Sequence, residues 1–303
     1  MNNKAIEAHK QAIRINPDDA HAHLKLGNAY RALDMNNEAR EAYKQAIKIN
    51  PDYAMAHYNL GVVYRAIDMN NEAIKAYKQS IKINPNYVDA HLNLGNTYRA
   101  LDMNNEAIEA YKQAIKINPN DADVYLGLGN TYRALDMNNE AIEAYKQIII
   151  INPNHAGANL GLGNTYRALD LNNEAIEAYQ HAIKINPDYV DAHYNLGNVY
   201  GKLGMNNEAR EAYKQAIKIK PDDAMAHYNL GNTYRALDMN KEASEAYKQA
   251  TKINPDYVDA HYNLGNVYGK LGMYEEEKEA YKQAIKINPD DADAHYNLGF
   301  VYS

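Results

Sequence analysis

Residues 88–121 read VDAHLNLGNTYRALDMNNEAIEAYKQAIKINPND, and this stretch decides the fold. In its first half Ala90, Leu94, Gly95, Thr97 and Tyr98 are small or apolar at helical spacing, and in its second half Ala107, Tyr111, Ala114, Ile115 and Ile117 repeat the pattern. Between them Asp102, Asn104 and Asn105 supply side chains that favour turns and helix N-caps by bonding free backbone N–H groups. Pro119 cannot continue a helix. The spacing predicts two helices, roughly over positions 1–14 and 17–30 of the stretch.

The same stretch recurs along the whole chain. All nine prolines, from Pro17 to Pro289, lie 34 residues apart without an insertion. With each proline at position 32, eight full units span 20–291; residues 1–19 match the second helix of a unit and 292–303 the first. Glycine holds position 8 and tyrosine position 11 in every full unit. Asn-Pro-Asp or Asn-Pro-Asn closes every unit but the one with Lys220, and the polar residue after the proline is expected to cap the next helix. Neither helix buries its stripe alone, so the pairs must stack into a single all-α array over 1–303.

The pattern resembles the tetratricopeptide repeat (TPR) family, whose motif the third unit carries as Leu94, Gly95, Tyr98, Ala107, Tyr111, Ala114 and Pro119. The resemblance implies a right-handed superhelical solenoid of antiparallel helix pairs, with a concave groove lined by first helices that holds an extended peptide or partner protein. Three departures stand out. Position 4, tryptophan in the family, is mostly histidine (His23, His57, His91, His193, His227, His261, His295); position 27 becomes Ser80 and Ile148; position 20 becomes Glu277. The bulk of Ile148 is expected to push two helices apart unless something compensates, and the charge of Glu277 to loosen or expose its site.

Positions 2, 5, 6, 9, 12 and 13 share one face of the first helix, which the resemblance places in the groove. Asn59, Asn93, Asn195, Asn229 and Asn263 stand at position 6, and Asn28, Asn96, Asn130, Asn164, Asn198, Asn232 and Asn266 at position 9. Asparagine is a poor residue inside a helix, so two on one face need an explanation. Either the amides bond a partner's backbone, or they bond one another and stiffen the stack. Similar asparagine ladders occur in the TPR arrays of O-linked N-acetylglucosamine transferases, which makes the substrate-binding fragment of a glycosyltransferase-type protein one alternative. Carboxylate-clamp members add cations at positions 5, 2 and 6; here Asn28 and Asn59 fit, but Leu24, Asp89 and Asn93 replace the cations.

Tyr58, Tyr194, Tyr228 and Tyr262 at position 5, with Tyr53, Tyr87, Tyr189 and Tyr257 at position 34, are expected either to edge the groove or to bridge repeats. Arg31, Arg65, Arg99, Arg133, Arg167 and Arg235 at position 12 form either a cationic row for a ligand or i,i+3 salt bridges to Asp34, Asp68, Asp102, Asp136, Asp170 and Asp238. Asp89, Asp123, Asp191 and Asp259 at position 2 are read as favourable partners of the helix dipole.

The net charge of −7 argues against a general nucleic-acid binder, and the lack of cysteine removes disulfides, thiolate metal sites and thiol nucleophiles. No secretory leader or unbroken apolar span is visible, so the chain reads as soluble and cytoplasmic. Neighbouring position-4 histidines should stand about 8–10 Å apart or more, too far to share a metal ion. Gly127-Leu-Gly129 and Gly161-Leu-Gly163 sit inside helix-forming segments and are no phosphate loop. No cofactor and no enzymatic activity are expected. Tyr125, Gly127, Ile148, Ile150, His155, Gly157, Asn159 and Gly161 depart from consensus in two adjacent units, through drift or as a specialised pocket. The terminal half repeats, with Ile6, Ile13 and Ile15 at one end and Tyr296, Leu298, Val301 and Tyr302 at the other, suggest head-to-tail self-association. The sequence thus points to a non-catalytic interaction scaffold, with a structural or self-assembling solenoid, designed or recently amplified, as the alternative.

Overall fold

The computed structural model describes residues 2–303 and contains eighteen α-helices with no strand among them. It forms two compact units, one ending at Pro153 and the other running Asn154–Ser303. The first holds α1 (Asn2–Ile15), α2 (Ala20–Arg31), α3 (Asn36–Ile49), α4 (Ala54–Ala66), α5 (Asn70–Ile83), α6 (Val88–Ala100), α7 (Asn104–Ile117), α8 (Ala122–Ala134) and α9 (Asn138–Ile151). The second holds α10 (Ala156–Ala168), α11 (Asn172–Ile185), α12 (Val190–Lys202), α13 (Asn206–Ile219), α14 (Ala224–Ala236), α15 (Asn240–Ile253), α16 (Val258–Lys270), α17 (Tyr274–Ile287) and α18 (Ala292–Tyr302). Within each unit every helix packs on the next, and successive first helices also touch: α2, α4, α6 and α8 in one unit, α10, α12 and α14 in the other. That second contact puts equivalent first-helix positions side by side.

The position-24 tyrosine explains the position-8 glycine. Tyr43, Tyr77, Tyr111, Tyr145, Tyr179, Tyr247 and Tyr281 are fully or almost fully buried. A Cβ added at Gly95 would sit 2.6 Å from the Tyr111 ring, and one at Gly61 2.6 Å from Tyr77. The ring therefore rests directly on the helix backbone, an approach that only glycine permits. Leu24, Ala39, Ala46, Ala56, Leu60 and Val63 pack around Tyr43 in the same way that Leu264, Val267 and Ala280 close the core of the second unit.

The turns correct two expectations. The aspartates at position 15 do not cap the second helix: Asp34, Asp68, Asp102, Asp136, Asp170 and Asp238 have φ between 55° and 61°, and Gly204 and Gly272 take the same register with φ of 72° and 69°. The Met35 N–H donates to Tyr30 O at 3.0 Å, so position 15 is the left-handed residue of a Schellman motif ending the first helix. The residue after the proline does not cap the next helix either. Its backbone N–H closes a turn on the asparagine before the proline, as Asp52 N does on Asn50 Oδ1 at 3.1 Å. Where a side chain caps, it comes from position 34: Asp19, Asp121, Asp223 and Asp291 accept backbone N–H groups and His155 accepts from Ala158 N through Nδ1, while Tyr53, Tyr87, Tyr189 and Tyr257 make no capping bond.

Glu277 is buried, not exposed or loosened. Its carboxylate lies over Gly269, where the missing side chain leaves room, and burial pushes its pKa up. Ile148 is completely buried within its helix pair. Ile6, expected at an exposed end, is buried against Leu26 and Ala42, whereas Ile15 is 79% exposed.

Candidate interaction face

The first-helix face begins with a bond that the repeat pattern makes in seven of its units. The position-24 tyrosine, its ring buried, reaches through the helix pair and donates its hydroxyl to Oδ1 of the position-9 asparagine. The pairs are Tyr43 to Asn28, Tyr111 to Asn96, Tyr145 to Asn130, Tyr179 to Asn164, Tyr213 to Asn198, Tyr247 to Asn232 and Tyr281 to Asn266, at 2.7–2.8 Å. Each amide is thereby held from below in one orientation. In the remaining unit Val62 replaces the asparagine, and the buried Tyr77 hydroxyl has no partner.

The position-6 amides complete a lattice across repeats. Asn59 Nδ2 donates to Asn28 Oδ1 at 3.3 Å, Asn195 to Asn164 at 3.0 Å, and Asn229 to Asn198 at 3.3 Å. Asn93, Asn229 and Asn263 also donate to the position-5 hydroxyls of Tyr58, Tyr194 and Tyr228 at 3.3, 3.0 and 3.1 Å, and Asn297 donates to that of Tyr262 at 3.1 Å. The position-5 tyrosines are half-buried between successive repeats. Tyr58 stacks on Tyr77 and Tyr87, and Tyr228 on Tyr247 and Tyr257, with ring centroids 4.8–5.9 Å apart. Tyr53 lies elsewhere, its hydroxyl 3.0 Å from His21 Nδ1.

The position-12 arginines line the same face. Arg31 reaches Asn59 Oδ1 at 3.5 Å and Arg235 reaches Asn263 Oδ1 at 2.9 Å. Arg99 and Arg65 both act on the Tyr111 hydroxyl, and Arg133 and Arg99 on that of Tyr145, each tending to lower pKa values that burial raises. Among the described residues none of these arginines forms an ion pair with the aspartate three residues on; that aspartate is turned away in its left-handed cap. Where position 12 is Gly201 or Gly269 the cation moves to Lys202 or Lys270, and Lys202 pairs with Asp170.

The histidines serve the turns. In all seven units with histidine at position 4 its Nε2 lies 2.9–3.1 Å from the carbonyl oxygen of the preceding proline. In one departing unit Asn159 stands at position 4 and donates instead to the His155 carbonyl four residues back, at 3.2 Å. Among the described residues no cluster of three metal-ligating side chains occurs, and no helix is long and apolar enough to cross a membrane.

The tyrosine–asparagine pairing was missed in the sequence because position 24 reads as core and position 9 as surface. The signal was their joint recurrence fifteen residues apart.

Comparison with solved structures places the chain beside other TPR proteins. MamA matches at 33% identity, covering 55% of this chain and 92% of its own, with a TM-score of 0.52, and a second MamA structure matches at 34% identity over 54% and 95% with a TM-score of 0.51. YrrB, described as a TPR protein with an unusual peptide-binding site, matches at 27% identity over 62% of this chain and 97% of its own, with a TM-score of 0.57. No curated protein sequence matches. The family described as TPR repeat matches residues 2–34, 27–68, 69–102, 95–136, 163–204, 202–238, 231–272 and 274–303, and the tetratricopeptide repeat matches 122–155. Thirty-four-residue helix pairs, ring-on-glycine packing and these matches agree: the chain belongs to the tetratricopeptide repeat family.

Proposed function

We propose that the chain is a non-catalytic scaffold that holds an extended partner segment along its first helices. The carrying observation is the row of position-9 amides, each locked through Oδ1 by a buried tyrosine while Nδ2 of Asn28, Asn96, Asn130 and Asn232 has no acceptor among the described residues. Preset side chains cost little entropy on binding, so weak contacts repeated along a strand add up. The likeness to YrrB, a TPR protein with a peptide-binding site, supports this reading.

Selecting binders from a random library of unstructured peptides tests it. The double substitutions Asn96→Ala with Tyr111→Phe and Asn130→Ala with Tyr145→Phe remove both partners of each buried bond, so no hydroxyl is orphaned. Affinity is expected to fall about tenfold with the melting temperature nearly unchanged. A library without binders, or affinity untouched by both pairs, counts against the reading.

A second reading, self-association through the terminal half repeats, is favoured by the exposed Tyr296, Phe300 and Tyr302 on α18, at 75%, 75% and 59%. Light scattering that shows a single monomer mass at millimolar chain concentration removes it.

A further inference from the structure

The lattice of amides is not neutral in hydrogen-bonding sense. An amide oxygen accepts two hydrogen bonds. Asn28 Oδ1 takes both, from Tyr43 and Asn59; Asn164 takes them from Tyr179 and Asn195, and Asn198 from Tyr213 and Asn229. The oxygen is tied to the stack twice in these three and once in Asn96 and Asn130, whereas the Nδ2 groups of Asn28, Asn96 and Asn130 bond no acceptor among the described residues. What faces outward is a set of donors: the Nδ2 groups of Asn28, Asn96 and Asn130, and the guanidinium groups of the position-12 arginines.

Charge adds a second, independent observation in the unit that ends at Pro153. Arg31, Arg65, Arg99 and Arg133 recur once per repeat on that face, and Arg31, Arg99 and Arg133 are exposed. None is neutralised by an ion pair among the described residues. Of the carboxylates at the start of the same helices, Asp19 and Asp121 are engaged as caps and Asp89 and Asp123 stand at position 2, while His21 and Met55 occupy position 2 in the other two repeats. In a chain of net charge −7, an unpaired cationic row along one line of side chains is a local positive feature for an anionic group to meet.

We propose that the segment held by this unit is an acidic extended polypeptide, read through its carbonyl oxygens by the amide N–H groups and through Asp or Glu side chains by Arg31, Arg65, Arg99 and Arg133. The inference rests on the scaffold reading above and narrows its partner to a class. A polypeptide suits the site better than a nucleic acid. The cations form a single file spaced by one repeat, and the amides between them match a peptide's regular carbonyls, whereas a phosphate backbone needs denser positive charge than a net acidic chain supplies.

The test uses the full chain and three twelve-residue peptides alternating Ser with Glu, Gln or Lys, titrated by calorimetry at two salt concentrations, with a single-stranded oligonucleotide of equal charge as a fourth ligand. The Glu peptide is expected to bind about tenfold more tightly than the Gln peptide, and the preference to shrink as salt rises. Asn96→Asp and Asn130→Asp keep an acceptor for the tyrosine hydroxyls but replace the outward donor with a negative charge. Together they should abolish binding of the Glu peptide while the melting temperature holds. Arg99→Gln with Arg133→Gln should shrink the Glu-over-Gln preference several-fold. Equal binding of Glu and Gln peptides overturns the proposal and leaves the scaffold reading in place. Tighter binding of the Lys peptide or of the oligonucleotide overturns the assignment of polarity and partner, and no binding by any peptide overturns both readings.

Discussion

Two neighbouring repeats in the first unit, 54–87 and 88–121, share a fold, and one of the buried contacts in which they differ separates two roles of the same tyrosine. In the second, Tyr111 gives its hydroxyl to Asn96 at 2.8 Å; in the first, Val62 takes the asparagine's place and the Tyr77 hydroxyl is left buried without a partner. Burial raises the pKa of both phenols; the Tyr58 hydroxyl adds to the rise at Tyr77, while Arg99 opposes it at Tyr111. The ring holds its place on the glycine in both repeats. The ring therefore serves the core, the hydroxyl serves the amide, and the two roles can be separated by mutation.

The largest effect should be shared by both repeats. Gly61→Ala and Gly95→Ala each drive a methyl to 2.6 Å from a buried ring and should cost about 2–3 kcal/mol in denaturant unfolding, equally in the two, because the contact does not involve the hydroxyl. A large difference between them would break the separation. Next, Asn96→Ala should cost about 1–2 kcal/mol by orphaning Tyr111, and adding Tyr111→Phe should recover most of that loss in a double-mutant cycle. The same Tyr→Phe change at Tyr77 should be neutral or stabilising by up to about 1 kcal/mol, and Val62→Asn should stabilise by a similar amount. A Tyr77→Phe variant that loses stability would show that the lone hydroxyl has found a partner.

A buried acid sharpens the contrast with a group that titrates in reach. Glu277 has its pKa raised by burial, so its folded form prefers the proton more than its unfolded form does. Its contribution is most favourable below the unfolded pKa and is lost as pH rises through the folded one. Glu277→Ala should therefore stabilise the chain at pH 7 by about 1 kcal/mol, with the gain shrinking on acidification toward pH 4 in thermal melts. The smallest effect belongs to the turns: Asp68→Gly and Asp102→Gly relieve a positive φ of 58° and 56° and should each stabilise by roughly 0.5 kcal/mol, alike in both repeats.

The helices were legible because the spacing of Leu94, Gly95 and Tyr98 against Ala107, Tyr111 and Ala114 obeys a local rule, the period of the α-helix, and Pro119 ends each pair. The left-handed turn was harder to see. Asp102 reads as a cap or a salt-bridge partner until Gly204 and Gly272 at the same register are set beside it, and that exchange of aspartate with glycine marks a positive φ. The direction of the amides was not legible at all. It depends on a tyrosine approaching from the opposite helix, a relation that no periodicity within one helix encodes, and Val62 breaks the only pairwise signal. The burial of Glu277 escaped for a similar reason, since the space it occupies is left by Gly269 eight residues earlier.

The histidine contacts to the proline carbonyls carry one more consequence. A carbonyl oxygen can only accept, so in each such contact the imidazole must donate from Nε2, which it does whether or not Nδ1 also holds a proton. These seven fasteners share one donor atom. His155 works the other way, offering an Nδ1 lone pair to the Ala158 N–H, which places its ring proton on Nε2. The same ring, with its proton on the same nitrogen, thus fastens a carbonyl at seven turns and an N–H at an eighth.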